Sequence, residues 1–197
     1  MPSRSDSIHN AIIRSNTDYS SASFLPSGKV LVAGGRSRGT YKSTNICSVY
    51  DPVLNIIECV APLTVYRHAH SAIALPNGNI LVVGGISFDT NTAAAEIYNE
   101  ESNTWTIVAP ALSRRYYGEL AIKKGKVIYT GGSDIHGVRV LSGDEKYSIA
   151  TNVWSLVINR AYTYKVVCRG CGSKFPWTIG TSKRNYLCLP CRESINA

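Results

Sequence analysis

Apolar residues in this chain fall in short runs bounded by turn residues, and a 3.6-residue helical period is scarcely visible anywhere. The runs at 29–32 and 79–83 are rich in β-branched residues, and each follows a Pro-x-Gly turn, at 26–28 and 76–78. Short β-branched segments after such a turn read as hairpins. A double glycine ends each run, at Gly34-Gly35 and Gly84-Gly85, and a third pair stands at Gly131-Gly132. Glycine accepts backbone angles and close approaches that a side chain forbids. The pattern predicts an all-β chain.

The runs are copies of one another. Residues 21–35 read SASFLPSGKVLVAGG, residues 71–85 read SAIALPNGNILVVGG, and a shortened copy, LAIKKGKVIYTGG, runs over 120–132. The glycine pairs are 50 and 47 residues apart. After each comes a polar loop and then a tyrosine, Tyr50, Tyr98 or Tyr147, with Ile57, Trp105 or Trp154 seven residues later. Turn-forming stretches separate these aromatics, so each pair is expected to face across a further hairpin, where such pairs add ~0.2–1 kcal/mol. Each unit therefore predicts four short antiparallel strands in about 50 residues, a repeat length that marks propellers and arrays.

The Leu-Pro-x-Gly run, the double glycine, the tyrosine and the tryptophan resemble the kelch repeat, over roughly residues 15–160. The resemblance implies a partial β-propeller of the galactose-oxidase-like type, with three four-stranded blades at about 21–70, 71–119 and 120–160. Residues 1–20 are expected to be a connector or partial blade, because HNAIIRSNTDYS weakly echoes the connector CVAPLTVYRHAH. Ile57 stands where the other units have tryptophan, which predicts weaker packing there. Propellers close with 4–8 blades, so three make an open arc with two exposed end faces, normally a place for polar caps. Two outcomes stand open. A homodimer could complete a six-bladed ring, or the chain could be a degenerate fragment of a larger propeller without independent activity.

Cysteine divides the chain. Cys168, Cys171, Cys188 and Cys191 form two C-x-x-C pairs with 16 residues between them, the spacing of a structural zinc site. Four thiolates satisfy tetrahedral Zn²⁺ and leave no position for a catalytic water. Residues 161–197 are therefore read as a small C-terminal module resembling a zinc ribbon, holding one structural zinc ion. Two disulfides, or a site that has lost its metal, are the rival readings. Cys47 and Cys59 flank the first Tyr–Ile hairpin. If Tyr50 faces Ile57, their sulfurs lie on opposite sheet faces, against a disulfide.

Net charge is +8 over 197 residues, but residues 161–197 carry six bases and one acid. Within that module Lys174, Trp177, Lys183, Arg184 and Tyr186 interleave basic and aromatic residues, a combination that can hold single-stranded nucleic acid. The plainer account is a small aromatic core with solvated bases. The opening lacks the apolar run of a secretory signal, and no stretch approaches the ~20 apolar residues of a spanning helix. An intracellular, cytoplasmic protein without a membrane partner is expected, with a nuclear location left open.

No phosphate loop, nucleophile elbow or paired-carboxylate motif is present. The run Tyr66-Arg67-His68-Ala69-His70 has a metal-like look, but by its resemblance to kelch connectors it is read as structural or loop-binding. The tyrosine and histidine set of copper oxidases has no counterpart to carry over. Kelch domains present ligands on the loops after the double glycine and on the connectors, which here carry Arg36, Arg38, Arg114, Arg115 and Arg139. Arginine forks suit acidic peptides. The expected function is non-enzymatic protein–protein interaction, with nucleic-acid binding through the basic module as the alternative.

Overall fold

The computed structural model describes residues 3–88, 90–134 and 143–157, together with the backbone of 164–167 and 174–177. It divides into two compact units, Met1–Val157 and Ile158–Ala197. Among the described residues no helix is long and apolar enough to cross a membrane.

The first unit opens with a helix, α1 (Arg4–Ser15), followed by a two-residue strand, β1 (Thr17–Asp18). The first sheet, or blade, has the spatial order β2 (Ser21–Phe24), β3 (Val30–Ala33), β5 (Cys47–Asp51), β6 (Ile56–Val60). Between β3 and β5 in sequence, β4 (Arg36–Ser37) pairs with β1 instead. The second blade repeats the order with β7 (Ser71–Ala74), β8 (Ile80–Val83), β11 (Ala95–Asn99) and β12 (Thr104–Val108), while β9 (Ile86–Ser87) and β10 (Thr90–Asn91) form a small hairpin. The third is β13 (Tyr116–Lys123), β14 (Lys126–Ser133), β15 (Glu145–Ser148) and β16 (Val153–Leu156). In the second unit β17 (Tyr164–Val167) pairs antiparallel with β18 (Lys174–Trp177), and Val167 faces Lys174 in the register.

Register follows the aromatic spacing. Tyr50 pairs with Ile57, Tyr98 with Trp105 and Tyr147 with Trp154. Cys47 is buried, Cys59 is exposed, and both are free thiols. Alternation of side chains across a pleated strand splits each central strand between two neighbours. Leu31 and Ala33 of β3 share a core with Ile80 and Val82 of β8, and Leu81 and Val83 share the next with Val127 and Tyr129 of β14. Each tryptophan then reaches back: Trp105 Nε1 donates to Ala61 O and Trp154 Nε1 to Ala109 O, each at 2.8 Å. The blades are thus tied by apolar cores and by one indole bond at each junction.

Within residues 1–20, expected to be a connector or partial blade, residues 4–15 form a helix, while 17–20 stand in the register of the connector residues 67–70. Ser3 caps the first turn, accepting from Asp6 N while the Asp6 carboxylate accepts from Ser3 N, a reciprocal pair that satisfies two open donors. Ile8 and Ala11, three residues apart, share a core with Val30, Val32, Phe24, Tyr50 and Ile57. The face of the first blade expected to be exposed is covered by α1.

Candidate functional site

Two buried arginines set the face on which the connectors and the double-glycine loops meet. The Arg67 backbone oxygen accepts from Gly35 N in the first blade at 2.8 Å. Its guanidinium donates to Gly84 O, Ala94 O and Glu96 Oε1 in the second, at 3.1, 2.7 and 2.8 Å. Glu96 also accepts from Thr64 N and Thr64 Oγ1, at 2.7 and 2.6 Å. Arg115 repeats the device: its carbonyl takes Gly85 N and its guanidinium donates to Gly131 O and Glu145 Oε1. Burial pulls Arg67 below its ordinary pKa and the Glu96 charge opposes that shift. Both arginines are 0% exposed, which removes Arg115 from the partner-binding set. A connector arginine is normally solvated, and only a glutamate two residues before the blade tyrosine shows where this one goes. That offset, Glu96 before Tyr98 and Glu145 before Tyr147, is the signal in the sequence for both pairs.

The other expected arginines part ways. Arg36 lies on the wall of a cleft of about 540 Å³ lined also by Tyr41, Lys42, Ser43, His68 and Phe88. Its guanidinium sits 5.0 Å from the Tyr19 ring centre and 5.8 Å from that of Tyr41, and its Nε is buried without a hydrogen-bond partner. Arg38 is held by Asp18 at 2.9 Å. Arg114 is exposed. Arg139 lies outside the described residues, as do Cys168, Cys171, Cys188, Cys191, Lys183, Arg184 and Tyr186. Lys174 and Trp177 are described only as the ends of β18.

Aromatic rings crowd the same face. Tyr19 stands 6.1 Å from Tyr117, Tyr116 stands 5.0 Å from Tyr117, and Tyr66 stands 5.5 Å from Phe88. Tyr41 and Phe88 are 71% and 64% exposed, on backbone with φ of 57° and 53°. Left-handed backbone is costly for a bulky residue and clusters at binding sites. Nothing in the residue pattern announced this, because a loop aromatic reads equally as core. A cross-blade ladder supports the floor: Ala69 N donates to Tyr19 O and Tyr117 N to Ala69 O, at 2.8 and 2.9 Å.

The two connector histidines serve separate neighbours. His68 Nδ1 lies 2.8 Å from Ser43 Oγ, and burial together with the Arg36 charge lowers its pKa. His70 Nε2 lies 2.9 Å from Ser21 Oγ and its Nδ1 is buried. Burial, then the Arg67 and His68 charges, push His70 down to about 3. A neutral histidine in the fold and an ordinary one in the unfolded chain give the unfolded chain the greater proton uptake. His70's contribution is therefore intact above pH 6.5 and is expected to be lost progressively as pH drops from there toward 3. Urea midpoints at stepped pH check this, and His70→Gln should flatten that part of the profile. Among the described residues no group of three or more His, Cys, Asp or Glu side chains gathers as a metal site.

Comparison with known proteins gives a consistent picture. The family profile described as Kelch motif matches residues 67–110. Kelch-like protein 24 of Homo sapiens is 31% identical over 118 residues, covering 60% of this chain and 19% of that protein. Kelch-like protein 41b of Danio rerio is 32% identical over 94 residues, 47% of this chain and 15% of its own. F-box/kelch-repeat protein At1g67480 of Arabidopsis thaliana is 32% identical over 108 residues, 53% of this chain and 28% of its own. The chain thus spans between 15% and 28% of the length of these relatives. The matched motif and three four-stranded antiparallel sheets in one repeating register support a kelch-repeat protein.

Proposed function

We propose that this chain is a non-enzymatic protein-interaction module, and that its partner presents an acidic peptide to the cleft between the first two blades. One observation carries the reading: Arg36 is clamped by two tyrosine rings rather than by a carboxylate, with one nitrogen out of water and unpaired. A cation held by ring faces keeps its charge free for a ligand, and an arginine fork takes a carboxylate through two parallel bonds. Lys42 adds a second cation, while the exposed rings of Tyr41 and Phe88 offer apolar area beside it. Rigid aromatic anchors next to an arginine are the usual makings of an interface hot spot. The kelch relatives are compatible with such a role.

Fluorescence anisotropy with labelled acidic peptides and charge-neutral counterparts tests the reading. Acidic peptides are expected to bind, and Arg36→Glu to weaken them at least tenfold while leaving the urea midpoint in place. Equal binding of acidic and neutral peptides overturns it, and steep salt-dependent binding of single-stranded nucleic acid would favour the basic module instead.

We infer separately that Cys168, Cys171, Cys188 and Cys191 hold one structural zinc ion. The support is their spacing and the β17–β18 hairpin, whose intervening six residues include the first pair in sequence. Native mass spectrometry of the full chain reads this directly.

A further inference from the structure

His68 is held by both walls of the cleft. Its backbone N–H donates to Ile86 O at 3.0 Å and its carbonyl accepts from Ile86 N at 2.9 Å, which ties it to β9 in the second repeat. Its ring reaches the first repeat, where Nδ1 lies 2.8 Å from Ser43 Oγ. His68, Ser43 and Arg36 all line the cleft. The imidazole is thus fixed from two sides, in the same cleft as the guanidinium that is to hold the peptide.

The hydrogen bonds leave one site of protonation open. Ser43 Oγ also lies 3.3 Å from Ile86 O. A carbonyl only accepts, so the hydroxyl donates to it and takes the Nδ1–H of His68 in return. That arrangement serves the neutral ring and the imidazolium alike. Among the described residues no hydrogen bond reaches His68 Nε2, so a proton can add there without breaking one.

The charges that face the ring are of one sign. Arg36 of β4 and Lys42 of the loop after it are the cations. Tyr41 of that loop, Tyr116 of β13 and Tyr19, whose ring centre is 6.2 Å away, present phenol side chains. His70 on the same connector is held neutral down to about 3. Among the described residues no carboxylate pairs with His68. Burial and the Arg36 charge keep its imidazole below the ordinary value. A carboxylate lodged on Arg36 offsets that repulsion and adds an attraction, and both changes favour the imidazolium.

We propose that His68 is a specificity-determining residue of the cleft: it joins Arg36 in holding the acidic peptide, taking up one proton from solvent as the peptide binds. The inference rests on the acidic-peptide reading above. Affinity then rises as pH falls through the range in which His68 titrates. The coupling is reciprocal, so the proton binds the complex more tightly by the factor that the peptide gains. A charge-neutral peptide gains nothing, and acidification therefore widens the margin between acidic and neutral partners.

Fluorescence anisotropy of the full chain at about pH 7.5 and about pH 5.5 tests this, with acidic peptides and charge-neutral counterparts whose carboxylates, where present, stay largely ionised at both values. Acidic peptides are expected to bind roughly three- to tenfold more tightly at the lower pH, the span open to one histidine shifted by about one unit. Neutral peptides should not change. His68→Gln, whose side chain carries no charge, should flatten the profile. Because that variant could disturb the cleft, calorimetry of the wild type in two buffers of different ionisation enthalpy supplies a reading free of mutation. Proton uptake of up to one per peptide is expected near neutral pH. Equal affinity of acidic peptides at both pH values, an equal gain for neutral ones, a gain that survives His68→Gln, or binding without proton uptake would each overturn the proposal and leave the acidic-peptide reading standing. Acidic peptides that bind at neither pH would overturn both.

Discussion

Replacing Glu96 with alanine is expected to cost about 3–5 kcal/mol, the usual penalty for leaving a buried charge without its partner. Domains of this kind have only ~5–15 kcal/mol in hand, so the variant should be largely unfolded near 37 °C. The loss has two sources. Arg67 keeps Gly84 O and Ala94 O but loses the carboxylate it pairs with among the described residues, and Thr64 loses the acceptor for both N–H and hydroxyl. The double variant Arg67→Met, Glu96→Leu separates charge from space. It removes both ions at similar volume and should recover the part of the deficit that comes from the unpaired charge, since apolar replacements of buried ion pairs are often neutral or better, while Thr64, Gly84 O and Ala94 O stay without their side-chain partners. Urea denaturation of the three proteins decides it. A single variant within 1 kcal/mol of wild type would show that water reaches the pair.

The second large effect is expected at Gly84→Ala. This residue has φ of +73°, and an added Cβ would lie 2.5 Å from Arg115 O and closer still to the Tyr129 hydroxyl. One contact is backbone and the other belongs to a fully buried ring, so neither yields without moving the second and third blades apart. Left-handed backbone alone costs roughly 1–2 kcal/mol for a residue with a Cβ, and overpacking a tight core adds about 1–3 kcal/mol. Gly28→Ala is the matching control: its φ is +85°, but nothing lies within 4 Å of the added carbon. The difference between the two urea midpoints isolates the steric share. Equal losses would mean that the blades part easily at this junction.

How far the residues foretold these features depends on where each feature draws its energy. The Pro-x-Gly turns, double glycines and tyrosine spacing are local, and they led directly to three sheets with Tyr98 opposite Trp105 and Tyr147 opposite Trp154. Helix α1 is different. Only Ile8 and Ala11 of its twelve residues enter a core cluster, and they do so because the first blade offers Val30, Val32 and Tyr50. A periodic stripe would have revealed it; two contacts do not. Arg115 looked like a surface fork because nothing nearby in sequence marks burial, its glutamate lying thirty residues on and two strands away. Arg36 was recognised as a candidate, but the rings of Tyr19 and Tyr41 that free its charge come from another connector and from the far side of its own loop.

The ladder that joins Tyr19, Ala69 and Tyr117 runs crosswise to the strands and fastens three successive connectors by backbone groups alone. Spreading the tyrosine rings to admit a bulky guest would stretch those bonds and tilt neighbouring sheets, straining both arginine–glutamate clasps behind them. The mouth of the cleft is consequently stiff, and the acidic peptide proposed for it would have to match its width on arrival, with adjustment confined to the outer hairpins that carry Tyr41 and Phe88. Selection by shape would then come from the scaffold beneath the loops.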